Sequence, residues 1–319
     1  MSGTFVISLD FELMWGVRDH RSVANYGDAV IGAREAIPQL LELFKEAEIP
    51  ATWATVGLLF ARTRDEMLDF APSLRPAYDN RLLSPYSAIE ASEIGRNERE
   101  DPLHFGRDLI ERIVDTPGQE IATHTYSHFY CLEEGATVEA FCADLEAAKV
   151  IAAEAGHPTR SIVFPRNQMA DIHLQACRQA GLHCYRGNPQ SYAYRPASGK
   201  NTSLGMRAVR LLDGIVPASG YNLGQVVAKE GLVNSPASIF LRPPSSRPLF
   251  YNGLHLAHIK RGMTKAARSG TSYHLWFHPH NIGKNTDLCL KNIKSILNHF
   301  QSLRERYGFR SISMGDLKL

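Results

Sequence analysis

The chain has no marked excess of charge: 35 Lys and Arg stand against 33 Asp and Glu, a formal +2. That balance gives no electrostatic footprint for nucleic acid or an anionic membrane, and no nucleic-acid partner is expected. Cysteine is scarce and unpaired in spacing. Cys131, Cys142, Cys177, Cys184 and Cys289 are odd in number and contain no C-x-x-C, which argues against a disulfide framework or a zinc ribbon. No window reaches roughly 18 uninterrupted apolar residues, so no transmembrane segment is expected. Met1-Ser2-Gly3 runs straight into an apolar strand, without the basic region, apolar stretch and small-residue cleavage site of an export signal. A cytoplasmic protein is the expectation. No Gly-rich phosphate fingerprint follows the first strand, where a nucleotide-binding fold would place it, and no short internal repeat stands out.

What is present is an ordinary globular composition, 44% hydrophobic and 21% charged over 319 residues. Apolar runs at Thr4–Leu9, Ala51–Val56, Glu120–Thr123, Ser161–Phe164, His183–Arg186, Ser238–Leu241, Ser272–Phe277 and Phe309–Ser313 read as strands. Helical spacing predicts helices over Ala29–Lys45, His104–Val114, Val138–Ala155, Ala170–Ala180, Leu254–Ala267 and Asp287–Tyr307, with a further helix near Leu223–Lys229. Strand and helix alternate along the chain, which predicts a parallel α/β sheet or barrel. Two polar stretches, near 62–103 and 188–252, read as insertions in a single domain spanning 1–319.

In such barrels catalytic groups lie at the C-terminal ends of strands. The first strand ends in Asp10-Phe11-Glu12, whose carboxylates at i and i+2 share one face. The third ends in His124-Thr125-Tyr126-Ser127-His128, and its H-x-x-x-H spacing puts both imidazoles on one side of a helical turn. Leu275-Trp276-Phe277-His278-Pro279-His280 ends another strand, with His278 at the mouth and His280 as a further lining group. A carboxylate and two imidazoles suit a catalytic metal that activates water. The second carboxylate would serve as base and His278 as acid toward a leaving group. The spacing leaves open which of Asp10 and Glu12 is ligand and which is base.

These residues resemble the polysaccharide deacetylases, the NodB-homology domains of the fourth carbohydrate esterase family. His124–His128 matches that family's H-S/T-x-x-H motif. Ser8-Leu9-Asp10-Phe11-Glu12 takes the place of its T-F-D-D-G, with Phe11 between the two acids. Ala51-Thr52-Trp53-Ala54-Thr55-Val56-Gly57 is similar to its second strand, and Leu275–His278 to its last motif. The resemblance implies a distorted (β/α) barrel of about seven parallel strands with polar insertions. It implies removal of an N-acyl group, N-acetyl foremost, from an amino sugar. Asp10 would be the base, Glu12, His124 and His128 the metal ligands, and His278 the acid. Zinc is the implied ion, with nickel or cobalt suited to the same donors. The combination of THTYSHFYC, FPRNQ, YRGN and WFHPHN resembles a branch associated with bacterial surface-polysaccharide or O-antigen synthesis. The implied substrate is an acylated amino sugar, nucleotide-linked, lipid-linked or oligomeric. A deformylase or small-amide hydrolase, and a non-catalytic glycan-binding barrel, remain as alternatives.

The family's third motif, R-x-P-x-G, is replaced by Phe164-Pro165-Arg166-Asn167-Gln168. Arg166 is expected to hold the catalytic base ionised, and Asn167 and Gln168 to contact substrate. Arg186, in Tyr185-Arg186-Gly187-Asn188, either binds a substrate phosphate, orients a carboxylate or forms a surface salt bridge. Trp276, Tyr192 and Tyr194 suit sugar stacking or the core, and Trp15 would wall the site. Arg242–Arg247 reads as a loop at the mouth or at an oligomer contact.

Overall fold

Strand β1 (Thr4–Phe11) is buried along almost its whole length, because neighbours flank it on both edges and helices cover its outer face. The protein is represented by a computed structural model that describes residues 2–198, 201, 203–244 and 249–318. Along the chain β1 is followed by α1 (Val23–Glu46), β2 (Ala51–Thr55), α2 (Arg64–Asp69), α3 (Tyr86–Glu90), α4 (Arg107–Asp115), β3 (Gln119–Thr123) and α5 (Val138–Glu154). Next come β4 (Ser161–Ile162), α6 (Asp171–Gln179), β5 (Cys184–Gly187), α7 (Leu204–Leu212), β6 (Val227–Lys229), β7 (Leu232–Pro236) and β8 (Ile239–Phe240). The chain ends with α8 (Leu249–Ser269), β9 (Ser272–Phe277), α9 (Thr286–Tyr307) and β10 (Arg310–Ser311).

The sheet order is β6-β7-β5-β4-β3-β2-β1-β9-β8, with β10 beside the start of β1; all pairings are parallel except β6 with β7. Residues 232–240 close it. β7 pairs with β5 and β8 with β9. At the crossover the Ala237 N–H donates to Gly187 O on β5 and the Ser238 N–H to His274 O on β9, both at 2.8 Å. One continuous segment therefore joins the two edges, giving a distorted barrel of seven staves, as the strand–helix alternation and the resemblance imply. Alternation along each strand sends one set of side chains outward and one set inward. The outward set meets the helices in the main core, with Phe11, Trp53, Leu40, Ile110 and Phe300. The inward set includes Val6, Ala54, Ala122, Val163, Cys184 and Val233, closed from below by Met314 and Leu317.

Three expectations change. The helix expected near Leu223–Lys229 is instead β6, one arm of a hairpin with β7. Glu230 and Gly231 between the arms both have positive φ (50° and 78°), the backbone of a tight turn whose twist matches that of antiparallel strands. The 62–103 stretch carries α2 and α3, and it buries Met67, Tyr86 and Ile89 in the main core. Helix α7, started by the Ser203 hydroxyl accepting from Met206 N–H, arises in a stretch whose Pro and Tyr content masked it. Of the Arg242–Arg247 loop, Ser245–Arg247 lies outside the described residues. No helix among the described residues is long and apolar enough to cross a membrane.

Candidate active site

Asp10, Glu12, His124, His128 and His278 come together at one mouth of the barrel. Among the described residues, Glu12, His124 and His128 form one buried group whose potential ligand atoms lie within 4.8 Å of one another. The Glu12 Oε2 atom is 3.0 Å from His128 Nε2 and 3.4 Å from His124 Nε2. His124 donates from Nδ1 to Val163 O at 2.7 Å, so the lone pair of its other ring nitrogen faces Glu12. That Nε2 is buried and makes no hydrogen bond. An orphaned buried imidazole nitrogen beside a carboxylate and a second imidazole is the donor set of a divalent cation site. Burial opposes the charge on Glu12, yet His278, His124 and His128 outweigh it and hold the carboxyl well below its usual range. Burial lowers the pKa of His128, favouring the neutral ring that a metal requires.

The two imidazoles come together on a loop, not on the helical turn that their spacing suggested. Thr125 and His128 have φ of 64° and 60°, so the backbone reverses within five residues. Buried Asp144 on α5 holds that loop, accepting from Tyr126 N at 2.7 Å, Ser127 N at 3.2 Å and the Ser127 hydroxyl. Gly16 supports the other ligand. A Cβ there would stand 2.0 Å from the Glu12 carboxyl carbon, so only glycine lets this backbone pack against the carboxylate.

Arg186 fills the barrel interior beneath the mouth. Its Nη1 and Nη2 donate to Asp10 Oδ1 and Oδ2 at 2.6 and 2.8 Å. Nη1 also reaches Ser8 Oγ at 3.0 Å and Nη2 reaches Asn167 Oδ1 at 3.1 Å. The Trp276 ring lies over the guanidinium at 4.3 Å. Burial would raise the pKa of Asp10, but the charge and hydrogen bonds of Arg186 prevail and lower it. The arginine expected to do this, Arg166, does not. It has φ of 53° in the turn after Pro165, donates to Asp19 Oδ2 at 2.5 Å and lies over the Tyr130 ring at 4.4 Å. The left-handed backbone turns Arg166 to the rim, whereas position 186 shares the inward face of β5 with Cys184. Arg186 is correspondingly no surface group: it is fully buried and saturated by protein partners on both terminal nitrogens.

His278 Nε2 sits between the two acids, 3.7 Å from Asp10 Oδ2 and 3.5 Å from Glu12 Oε1. Its orientation is set by two residues that sequence reasoning missed. The Tyr26 hydroxyl donates to Asn281 Oδ1 at 3.2 Å, and the Asn281 amide donates to His278 Nδ1 at 3.2 Å. In the neutral ring Nδ1 accepts and Nε2 carries the proton toward the acids; with the Asn281 amide turned over, its oxygen accepts from Nδ1–H of the imidazolium and Nε2–H keeps the same direction. The only advance signal was the asparagine three positions after His278; Tyr26 lies ahead of the helix that the spacing predicted and joins it only in the structure. Gly32 of α1 meets Gly283 O so closely that a Cβ would lie 2.1 Å away, which clamps this turn onto α1.

His280 is buried, stacked on His278 with centroids 4.9 Å apart, and 3.9 Å from Glu12 Oε1. Burial pushes its pKa down to about 3, so the ring is neutral. Asn167, Trp276, His278 and His280 line a cavity of about 420 Å³ over the acids. Trp15 does not line it. It is buried, donates from Nε1 to His104 O at 2.8 Å and packs on the His104 ring, so it is a core residue behind Glu12. Gln168 is buried too, its amide tied to Leu132 N and Glu133. Tyr192 is exposed away from this cavity, and Tyr194 lines a neighbouring one.

Residues 24–185 match the family model described as polysaccharide deacetylase. The chain belongs to the polysaccharide deacetylase family. Among solved structures, this family member resembles a "putative polysaccharide deacetylase" from Mycobacterium smegmatis, at 13% identity and TM-score 0.55 over 100% of this chain and 96% of that one. A probable polysaccharide deacetylase from Pseudomonas aeruginosa PAO1 is similar at 11% identity and TM-score 0.54, over 94% and 84% of the two chains. A GH57-type branching enzyme from Pyrococcus horikoshii reaches TM-score 0.54 at 12% identity, over 99% and 70%. At these identities the likeness is one of fold. No curated protein matches the chain. Membership of the polysaccharide deacetylase family supports a deacetylase activity, and the Glu12–His124–His128 group fits the metal dependence general to the family.

Proposed function

We propose that this protein is a metal-dependent hydrolase that removes an N-acyl group, N-acetyl foremost, from an amino sugar used in surface-polysaccharide synthesis. The observation that carries the reading is His278 Nε2 poised 3.5–3.7 Å from both acids, one of which belongs to the Glu12–His124–His128 group. Glu12, His124 and His128 would hold a divalent ion, zinc foremost and nickel or cobalt by the same donors, which would polarise the amide carbonyl and acidify water. Asp10, kept ionised by Arg186, takes the proton of the attacking water. His278, acting as the imidazolium and turned toward the acids by Asn281, would give its Nε2 proton to the departing amine and return to the neutral ring. Trp276 and Asn167 border the space for the sugar, and His280 backs His278. Arg166, at the rim between two cavities, contacts substrate instead of acting on the base. A cytoplasmic location is consistent with such a biosynthetic step.

The test is amine release from a panel of N-acetylated and N-formylated amino sugars by the zinc-loaded chain. Turnover that disappears in Asp10→Asn and His124→Ala supports the reading. Turnover that survives both substitutions, or sugar binding without turnover when metal is saturating, defeats it.

A further inference from the structure

A second cavity, of about 470 Å³, opens beside the first and shares Arg166, Asn167, Phe240 and Trp276 with it. The two are chambers of one recess, and each alone is of a size typical for small-molecule sites. Their charges differ. Arg166, Arg207, Arg210 and Arg242 line the second chamber, and Asp213 is the sole carboxylate among its lining residues. The Asp213 carboxylate is engaged by protein groups: it accepts from Ser219 N at 2.7 Å and Ser219 Oγ at 2.5 Å, and it bonds the Tyr194 side chain.

Two of the four arginines are oriented without being neutralised. Arg210 Nε donates to Ala193 O at 2.6 Å, and Arg242 Nη2 donates to Arg210 O at 2.7 Å. The Arg242 N–H in turn donates to buried His255, whose Nδ1 bonds Gly214 O. Among the described residues, Arg207, Arg210 and Arg242 have no ion-pair partner. Arg210 and Arg242, bonded to backbone carbonyls, and Arg207 beside them leave a positive field in the recess. Their planar donor forks match phosphate oxygens. Backbone carbonyls neutralise no charge, so with one lining carboxylate, and with Arg166 paired to Asp19, the chamber keeps a net positive field.

We propose that the second chamber binds a phosphate or diphosphate substituent carried by the acylated sugar, while the acyl group lies in the first chamber; this rests on the deacetylase reading of that first site. A nucleoside diphosphate and a lipid diphosphate present the same anion, and the shared phosphate chemistry is what the arginines recognise.

The test is calorimetric titration of inorganic pyrophosphate into the full chain after chelator treatment, so that no metal contributes to binding. Wild type is expected to bind with an affinity that falls steeply with salt. Arg207→Ala is expected to weaken binding about tenfold, and Arg207→Ala with Arg242→Ala further. Arg207 is exposed, so the single variant decides the matter even where the double variant folds poorly. Absence of pyrophosphate binding by the wild type, or equal binding by Arg207→Ala, overturns the proposal. Uridine diphosphate and a short prenyl diphosphate, titrated alike, separate the sources: tighter binding of either supports the site and names the carrier. Equal affinity for all three supports recognition that ends at the phosphates. Pyrophosphate binding without amine release from any sugar keeps the anion site and removes the deacetylase reading. Hydrolysis of neutral acetylated sugars by a chain that fails to bind pyrophosphate does the reverse.

Discussion

Arg186 on β5 holds both carboxylate oxygens of Asp10 on β1, at 2.6 and 2.8 Å, across the interior of the barrel. Both groups are buried, so each charge depends chiefly on the other. Arg186→Ala would leave Asp10 uncompensated and is expected to cost about 3–5 kcal/mol of stability in chemical denaturation. Arg186→Lys keeps the charge but loses the fork, and should retain part of the stability while losing most turnover. Arg166→Ala removes partly exposed pairs and should change stability by no more than about 1 kcal/mol.

Metal binding should stabilise the fold. An ion present at a hundredfold excess over its Kd would add about 2.7 kcal/mol to unfolding free energy. Thermal melts with and without chelator measure this. The difference is expected to vanish in His124→Ala, whose ring nitrogen is the orphaned one.

Gly16→Ala is expected to act as a ligand variant although it changes no donor. Its Cβ would overlap the Glu12 carboxylate, so Glu12 must move. Zinc stoichiometry should fall below one per chain while circular dichroism remains that of the wild type.

Asn281 and Tyr26 should matter chiefly through His278, although both also line the cavity. Asn281→Ala frees the imidazole to turn its Nε2 away from the acids and is expected to lower kcat by about 10²-fold or more, the range of a positioned acid, with KM little changed. Tyr26→Phe should give a smaller loss in the same parameter. An effect on KM alone, with kcat intact, would contradict this arrangement.

Two buried histidines outside the metal group predict an acid-labile fold. Burial pushes His274 down to about 3 and His255 down to about 4, so both are neutral in the folded protein. The unfolded chain takes up their protons near pH 6.5. The stability they contribute is present in full above that pH and is lost as pH falls through 6.5 toward the folded values. Unfolding free energy should decline between pH 6.5 and 4, and His255→Gln should flatten the decline.

Most of the barrel is legible in the residue pattern, because buried parallel strands are continuous apolar runs and their helices carry a clear periodicity. It also placed Asp10, Glu12, His124, His128 and His278 at strand ends, since chain position along a stave sets distance from the mouth. Local signals were weaker for β7 and α7, where short elements in a Pro-rich stretch take their stability from neighbours instead of from their own pattern. Which arginine serves Asp10 emerges from the folded chain alone. Arg166 and Arg186 both follow strands, and linear order does not say which way either side chain points. A left-handed backbone sends Arg166 to the rim, and the inward face of β5 sends Arg186 across the barrel. The same holds for Trp15, Asn281 and the arginine-lined chamber: each role depends on contacts between segments distant in the chain, and side-chain direction is a property of the closed fold.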